Sequence, residues 1–417
     1  MINLYILNES NPAAVYGVGT YIRELTASLK NSRISICIVY LRSDSSKIIP
    51  VAPDGIKRIY IPPPFSQNNL NNKNNLNELY YRNVVYLLKL QIENTSEPVF
   101  HLNYNHCYPL ANELKKAFKC KIISTVHYLE WCFHLYGNIS RFRQILASEE
   151  IHKNDELENI ITESYHKEKK LFDTVDGIIC LSENTRQILQ NDYQITQKKI
   201  TVIYNGLSDI NIRTDRKQLR QKYNIPDIPI ILFAGRLDDL KGLKYALQSF
   251  KTVVEKQPCH FIIAGNGAFD TYMKECEDIW MHITWTGQIT KEKLYDLYSI
   301  ADLGVMPSFH EQCSYVAIEM MMHGLPMVTT SAPGLAEMTE DGISSLHVPI
   351  KESHDKIEID AGLLAEKILC LLQHPEEAKK MGQNGRKRYL EKYSLPVFRK
   401  NMLNFYKSLY PSNDENT

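Results

Sequence analysis

The chain has 417 residues, 44% of them hydrophobic and 23% charged, and its 48 Lys+Arg balance 48 Asp+Glu to a formal net charge of zero. That length asks for two or three domains, and this composition buries a core without help from disulfides or metal. Zero net charge argues against nucleic acid as a partner, because phosphate binding needs a basic surplus. No run of 18 uncharged apolar residues is present to span a bilayer. Met1–Leu7 reads at once as a buried strand, so no secretory leader is expected. Nine scattered cysteines, Cys37, Cys107, Cys120, Cys132, Cys180, Cys259, Cys276, Cys313 and Cys370, are never spaced CxxC and read as reduced thiols of a cytoplasmic protein. No DxD and no His, Cys, Asp or Glu cluster has metal-ligand spacing, so no metal is expected.

Short apolar runs alternate with helical stretches. The first series is Asn3–Leu7, Ile36–Tyr40, Val99–Leu102, Lys121–Val126, Gly177–Leu181 and Ile200–Ile203. Within it, Gln67–Glu78 is Asn-rich and reads as a mobile loop. Asn138–Leu171 reads as helical and mixed in charge, with a solvated face preferred to a membrane-surface one. Asn205–Asp227, with its Asn205-Gly206 turn signal and charged stretch, reads as an interdomain linker plus an entry helix. The second series is Pro229–Ala234, His260–Ala264, Ile283–Thr286, Leu303–Met306, Pro326–Thr329 and Ser345–Val348. Most runs are uncharged on both faces, as parallel strands covered by helices must be. The expectation is an α/β chain with two doubly wound, Rossmann-like domains facing each other across a cleft. They are placed at 1–206 and 229–392, joined by a linker and entry helix at 207–228.

In such sheets ligands bind outside the carboxyl ends of the strands. Ala234-Gly235-Arg236-Leu237-Asp238-Asp239-Leu240-Lys241-Gly242 leaves an apolar strand there, and two cations five apart between glycines suit a diphosphate. Two surface cations on a loop would give the same pattern. Glu311, with Gln312, Cys313 and Ser314 after it, follows the strand Leu303–Met306, and Ser314 is the N-cap candidate of a helix from about Tyr315 to His323 that contains Val316 and Glu319. A helix start offers unpaired N–H groups and a positive dipole end to a phosphate. Gly17-Val18-Gly19 lies between the first strand and a helix, either a phosphate approach or a plain turn. It is not GxGxxG, because Ile22 holds the third glycine's place, so a nicotinamide or flavin site is not expected. His127 ends the strand Lys121–Val126, where a side chain can reach a ligand or simply be hydrogen-bonded in the core.

Taken in order, these signatures resemble the retaining GT-B glycosyltransferases of the large family 4 type (glycosyl transferases group 1). The series is Gly17-Val18-Gly19, His127, Val202-Ile203-Tyr204-Asn205-Gly206, Gly235-Arg236…Lys241-Gly242, Ala264-Gly265-Asn266-Gly267, Thr286-Gly287, Glu311-x7-Glu319 and Gly334-Leu335-Ala336-Glu337. The resemblance implies a hexose transfer from a nucleotide-diphosphate sugar, UDP ahead of GDP, with no cofactor or metal. Arg236 and Lys241 would neutralise the diphosphate beside Gly235 and Gly265. Glu319 would bind ribose, and Gly287, Gln288 and Ile289 the base. Glu311 and the backbone of Cys313, Ser314, Tyr315 and Val316 would hold the sugar. His127 would contact that sugar, Gly17 and Gly19 would close over the phosphates, and residues 393–417 would form a C-terminal helix crossing back to the first domain. The sequence departs from the pattern where Gln312-Cys313-Ser314 replaces Pro-Phe-Gly, which loosens any inference about the sugar. The acceptor stays open among glycan, lipid-linked glycan, peptide and small molecule, a peripheral contact with the inner membrane face is compatible, and the oligomeric state is undetermined. The alternatives are a non-catalytic sugar-nucleotide-binding subunit and an epimerase or phosphorylase of the same fold.

Overall fold

The computed structural model describes residues 2–9, 17–49, 54–64, 73–92, 97–148, 155–210, 215–267, 269–353 and 356–410. It divides into two compact units. One comprises residues 1–131, 145–206 and 398–417, and the other 132–144 and 207–397. The charged entry helix (Arg216–Lys222) and the segment 132–144 therefore group with the second unit.

The first unit is built on β1 (Ile2–Glu9), β2 (Ile34–Leu41), β3 (Lys47–Ile49), β4 (Lys57–Tyr60), β5 (Pro98–Leu102), β6 (Lys121–Val126), β7 (Gly177–Cys180) and β8 (Ile200–Val202). They lie in the order β3-β4-β2-β1-β5-β6-β7-β8, all neighbours parallel except β3 against β4. Strand order reverses between β1 and β5, where a doubly wound sheet opens a crevice at its carboxyl edge. All five residues of β5 and all four of β7 are buried, which is why these strands carry no charge. The helix Leu395–Ser408 buries Phe398, Met402, Phe405 and Tyr406. Within this unit Phe398 sits so close to Gly206 that a Cβ there would lie 2.2 Å from the Phe398 Cβ, which explains the glycine of the Asn205-Gly206 turn.

The second unit carries β9 (Ile230–Ala234), β10 (His260–Ala264), β11 (Ile283–Gly287), β12 (Leu303–Met306), β13 (Met327–Thr330) and β14 (Leu346–Val348). This sheet is wholly parallel in the order β11-β10-β9-β12-β13-β14, with its reversal between β9 and β12. A small antiparallel pair, β15 (Ile350–Glu352) and β16 (Ile357–Ile359), stands apart. The helix Leu243–Lys256 lays Leu243, Leu247, Phe250 and Val253 into the core at helical spacing, each burial worth about 1.5–3 kcal/mol.

Two expectations are corrected. Of the Asn-rich stretch expected as a mobile loop, 67–72 lie outside the described residues, and 73–78 are the first turns of a helix, Lys73–Gln91. That helix buries Tyr80, Tyr81, Val84, Val85 and Leu88 on one face, and this packing outweighs the weak helix propensity of its asparagines. Gly17 and Gly19 do not precede a helix but form the first turn of one, Gly17–Leu29. Among the described residues no helix is long and apolar enough to cross a membrane.

Candidate functional site

The reversal between β9 and β12 brings two loops together. After β9, Asp238 accepts a hydrogen bond from the Lys241 amide at 3.1 Å and shapes a single 3-10 turn, Asp239–Lys241. Gly242 follows at φ +66°, and a Cβ there would lie 1.9 Å from the Pro307 carbonyl oxygen. Only glycine allows the loop after β9 to press against the loop after β12 in this way. The Phe309 amide then donates to the Leu240 carbonyl at 2.9 Å.

This clamp sets Lys241 against Glu311. The ammonium donates to Glu311 Oε1 at 2.6 Å, with the side chains 20% and 9% exposed. Ser308 donates to the same oxygen at 3.0 Å, and Thr330 holds the Ser308 carbonyl. A Cβ on Gly334 would lie 2.0 Å from the Glu311 carbonyl oxygen, so the helix Pro333–Met338 can back this loop only through a glycine. Arg236 is more open and pairs with Asp238 at 3.0 Å.

Three glycines continue the row at adjacent strand ends. The Gly235 amide donates to the Ala264 carbonyl at 3.0 Å, and the Gly265 amide to the Gly287 carbonyl at 3.1 Å. Gly265 has φ +157°, and a Cβ there would lie 1.7 Å from the Gly235 carbonyl oxygen. Gly287, at φ +63°, has open space on its side-chain position, with Gln288 exposed and Ile289 half-buried after it.

The helix after Glu311 runs Tyr315–Met322. Ser314 takes the N-cap position, yet its side chain makes no capping bond, and its amide meets the Met338 sulfur at 3.1 Å. The first-turn amides are therefore not capped by that hydroxyl. Cys313 and Ser314 are buried, Tyr315 and Val316 half-buried. Glu319 accepts from the Tyr298 hydroxyl at 3.0 Å and lies 3.8 Å from the Lys291 ammonium. Each cation of the row thus faces an acid: Arg236 with Asp238, Lys241 with Glu311, and Lys291 with Glu319.

In the first unit, His127 leaves β6 and Asn103 leaves β5. The His127 Nε2 lies 3.0 Å from Asn103 Oδ1, and the Tyr21 ring stands edge-on to the imidazole at 4.7 Å. Below it, Thr125 Oγ1 is hydrogen-bonded with the Tyr21 hydroxyl at 3.1 Å and with His101 Nε2 at 2.6 Å, while His101 Nδ1 meets the Tyr406 hydroxyl at 2.8 Å. Burial pushes both histidines down to about 3, so both rings are neutral at pH 7.

Two family models cover most of the chain. The description glycosyltransferase family 4 fits residues 15–209, and glycosyl transferases group 1 fits 215–388. The chain belongs to the family 4 type of GT-B glycosyltransferases. An uncharacterized glycosyltransferase of Methanocaldococcus jannaschii is 27% identical over 305 residues, 68% of this chain and 74% of its own. The alpha-D-kanosaminyltransferase of Streptomyces kanamyceticus is 23% identical over 241 residues, 56% of this chain and 60% of that protein. Among solved structures, sucrose-phosphate synthase of Thermosynechococcus elongatus superposes with a TM-score of 0.74 at 19% identity, covering 98% of this chain and 99% of that one. Anabaena HepE, in complex with UDP and glucose, superposes with a TM-score of 0.72 at 14% identity over 98% of this chain and 100% of its own.

The structure of this glycosyltransferase gathers Gly235, Arg236, Lys241, Gly265, Gly287, Glu311 and the 313–316 helix start along one carboxyl edge, with Glu319 farther along that helix. Gly17, Gly19 and His127 belong to the other unit. Sequence reasoning passed over Ser308, Lys291, Tyr298 and Asn103. Lys291 opens the helix Lys291–Ile300 just past the 287–289 stretch, and a lysine at that place after a strand-end glycine was its one available signal. Among the described residues no group of three or more His, Cys, Asp or Glu is placed to hold a metal ion.

Proposed function

We propose that this glycosyltransferase moves a hexose-type sugar from a nucleotide-diphosphate donor, UDP ahead of GDP, to an acceptor hydroxyl with retention and without a metal ion. The observation that carries the reading is the meeting of Lys241, Glu311 and the start of helix Tyr315–Met322, where the Ser314 hydroxyl makes no capping bond, at the reversal between β9 and β12. A diphosphate placed there finds Lys241, Arg236 and first-turn amides, which supply the stabilisation a cation would otherwise give a leaving group. Glu311 takes sugar hydroxyls, Glu319 the ribose, and the backbone at Gly287–Ile289 the base. Gly17 and Gly19 close on the phosphates. HepE, whose structure holds UDP and glucose, supports the nucleotide-sugar assignment.

Double displacement would need a carboxylate nucleophile on the face opposite the leaving group. Glu311 is already engaged by Lys241 on the diphosphate side, so a front-face route is favoured. The anomeric carbon–oxygen bond breaks with its electron pair going to the diphosphate. The acceptor oxygen bonds the same face of that carbon, and its proton passes to the departing diphosphate oxygen. His127 contacts the transferred sugar as a neutral ring. The test is proton NMR of the product's anomeric signal taken early in turnover. An α linkage from an α-linked donor is expected, and a β linkage refutes retention. EDTA is expected to leave turnover unchanged, and loss with rescue by Mg²⁺ or Mn²⁺ refutes the metal-free site.

A further inference from the structure

Among the described residues no ionised side chain pairs with His127, so what it can offer a ligand depends on which ring nitrogen bears the proton. Asn103 decides this. Its backbone amide donates to the Leu7 carbonyl at 3.2 Å. Its side-chain Nδ2 lies 3.3 Å from the His101 carbonyl oxygen and 3.5 Å from that of Leu7. Both neighbours are acceptors, so the amide cannot be flipped, and Oδ1 is the atom left facing His127. An amide oxygen only accepts. The His127 nitrogen 3.0 Å away must therefore donate to it.

We propose that Asn103 is a positioning residue that fixes His127 as the Nε2-protonated neutral imidazole, so that Nδ1 is presented as a hydrogen-bond acceptor to one hydroxyl of the transferred sugar. The sugar contact rests on the function proposed above. The tautomer rests on geometry alone. Among the described residues no hydrogen-bond donor meets Nδ1: the Tyr21 hydroxyl is taken by Thr125, and Asn103 holds the opposite nitrogen. The edge-on Tyr21 ring, interplanar angle 78°, sets the plane of the imidazole. Among the described residues, the titratable groups facing His127 are Tyr21 and His101. Burial raises the first far above neutral pH and pushes the second down to about 3, so neither brings a charge. An acceptor at this place selects for a donor sugar with a free hydroxyl there and against one that is deoxygenated, fluorinated or oxidised to a carboxylate at that carbon.

The tautomer is read on the wild-type protein from long-range proton–nitrogen correlations of the imidazole ring, assigned with His127→Gln. A protonated Nε2 and an unprotonated Nδ1 from pH 5.5 to 8 are expected. The opposite tautomer, or an imidazolium at pH 7, overturns the proposal. Asn103→Asp supplies the second readout. A carboxylate beside Nε2 favours the imidazolium by about 1–3 pH units, which carries the ring from about 3 toward the assay range and protonates Nδ1. Transfer by Asn103→Asp should then fall as pH is lowered through about 6–4, with a limb absent from wild type. Identical pH profiles overturn the positioning role. With donor analogues, one deoxy or fluoro position should lose rate in wild type and lose nothing further in His127→Ala. If no position behaves so while the tautomer is as stated, the sugar does not meet His127, and the acceptor role falls while the Asn103 pairing stands.

Discussion

Lys241→Met keeps the aliphatic reach of the side chain and deletes the cation that Glu311 faces. The pair is close, 2.6 Å, and the Glu311 side chain is only 9% exposed. Breaking a buried pair from one side costs about 3–5 kcal/mol, because the remaining charge stays buried without a counter-charge. Ser308 still donates to Glu311, and Lys241 is itself partly open, which puts the expected loss near the lower end, about 3 kcal/mol. In a unit of this size each kcal/mol moves Tm by about 2–4 °C, so the transition of the second unit should fall by about 6–12 °C. Adding Glu311→Gln removes the stranded charge and should restore most of that loss. UDP binding should order the same variants differently. Lys241→Met loses a charge-assisted contact worth about 1.5–3 kcal/mol, about 10–150-fold in Kd. Glu311→Gln frees Lys241 from its neutralising partner and should bind UDP at least as tightly as wild type. Scanning calorimetry of the four proteins and titration with UDP supply both readings. If the double variant loses the sum of the single losses, the pair is not coupled. If Glu311→Gln weakens UDP as much as Lys241→Met does, the phosphates do not lie on Lys241.

Three further outcomes follow from the same geometry. Gly265→Ala would place a Cβ 1.7 Å from the Gly235 carbonyl oxygen, whereas Gly287→Ala meets open space and suffers only its positive φ. Urea unfolding should give about 4 kcal/mol or more for the first and about 1–2 for the second, and equal losses would contradict the strand-end packing. Glu319→Gln should weaken UDP binding by calorimetry while the protein stays folded. Unchanged affinity would leave Glu319 a helix-dipole effect of about 0.3–1 kcal/mol. Stability of the first unit should depend on pH. His101 and His127 are pushed from the usual 6.5 down to about 3, so their contribution is full above about 6.5 and is lost as pH falls. Glu168, raised by burial from 4.5 to about 7, contributes fully below about 4.5 and loses its contribution as pH rises through about 7. Between about 6.5 and 4.5 two histidines work against one carboxyl, a net loss of about 1.4 kcal/mol per pH unit on acidification. Glu168→Gln should steepen that loss about twofold in thermal unfolding, and an unchanged slope would refute the assignment.

The doubly wound sheets were legible because their strands are buried on both faces and so write themselves as uncharged runs; β6, β10 and β12 have the ends expected for them. The strands missed are those with charge in them. Lys57-Arg58 in β4 and Glu352 and Glu358 in the β15–β16 pair lie where one face meets solvent, and a three- or four-residue strand with charges has no readable period. Arg236, Lys241 and Glu311 were legible because each stands at a fixed distance past a readable strand. Asn103 stands in a similar place, but an asparagine after a strand is a common turn signal, and its partner His127 is 24 residues on. Only the strand order, which sets β5 beside β1 and β6, reveals the pairing. The grouping of 132–144 with the second unit has no sequence signal, since Tyr136 against Phe309 and Gly137 against His310 are contacts across more than 170 positions.

That grouping bears on how the protein can be recombined. The chain passes between its two units at 131/132, 144/145, 206/207 and 397/398. A chimera that exchanges second halves with a relative at a single junction near residue 206 would import a foreign second half onto a resident 132–144. That segment binds by particulars: Asn138 donates to the Ser353 carbonyl at 2.9 Å, and a Cβ on Gly137 would lie 2.9 Å from His310 Nδ1. The same cut would leave Gly206 facing whatever replaced Phe398. Gene fusions meant to exchange the second unit among these enzymes should therefore carry 132–144 along with 207–397 as one inherited cassette, and return to the resident sequence at 398.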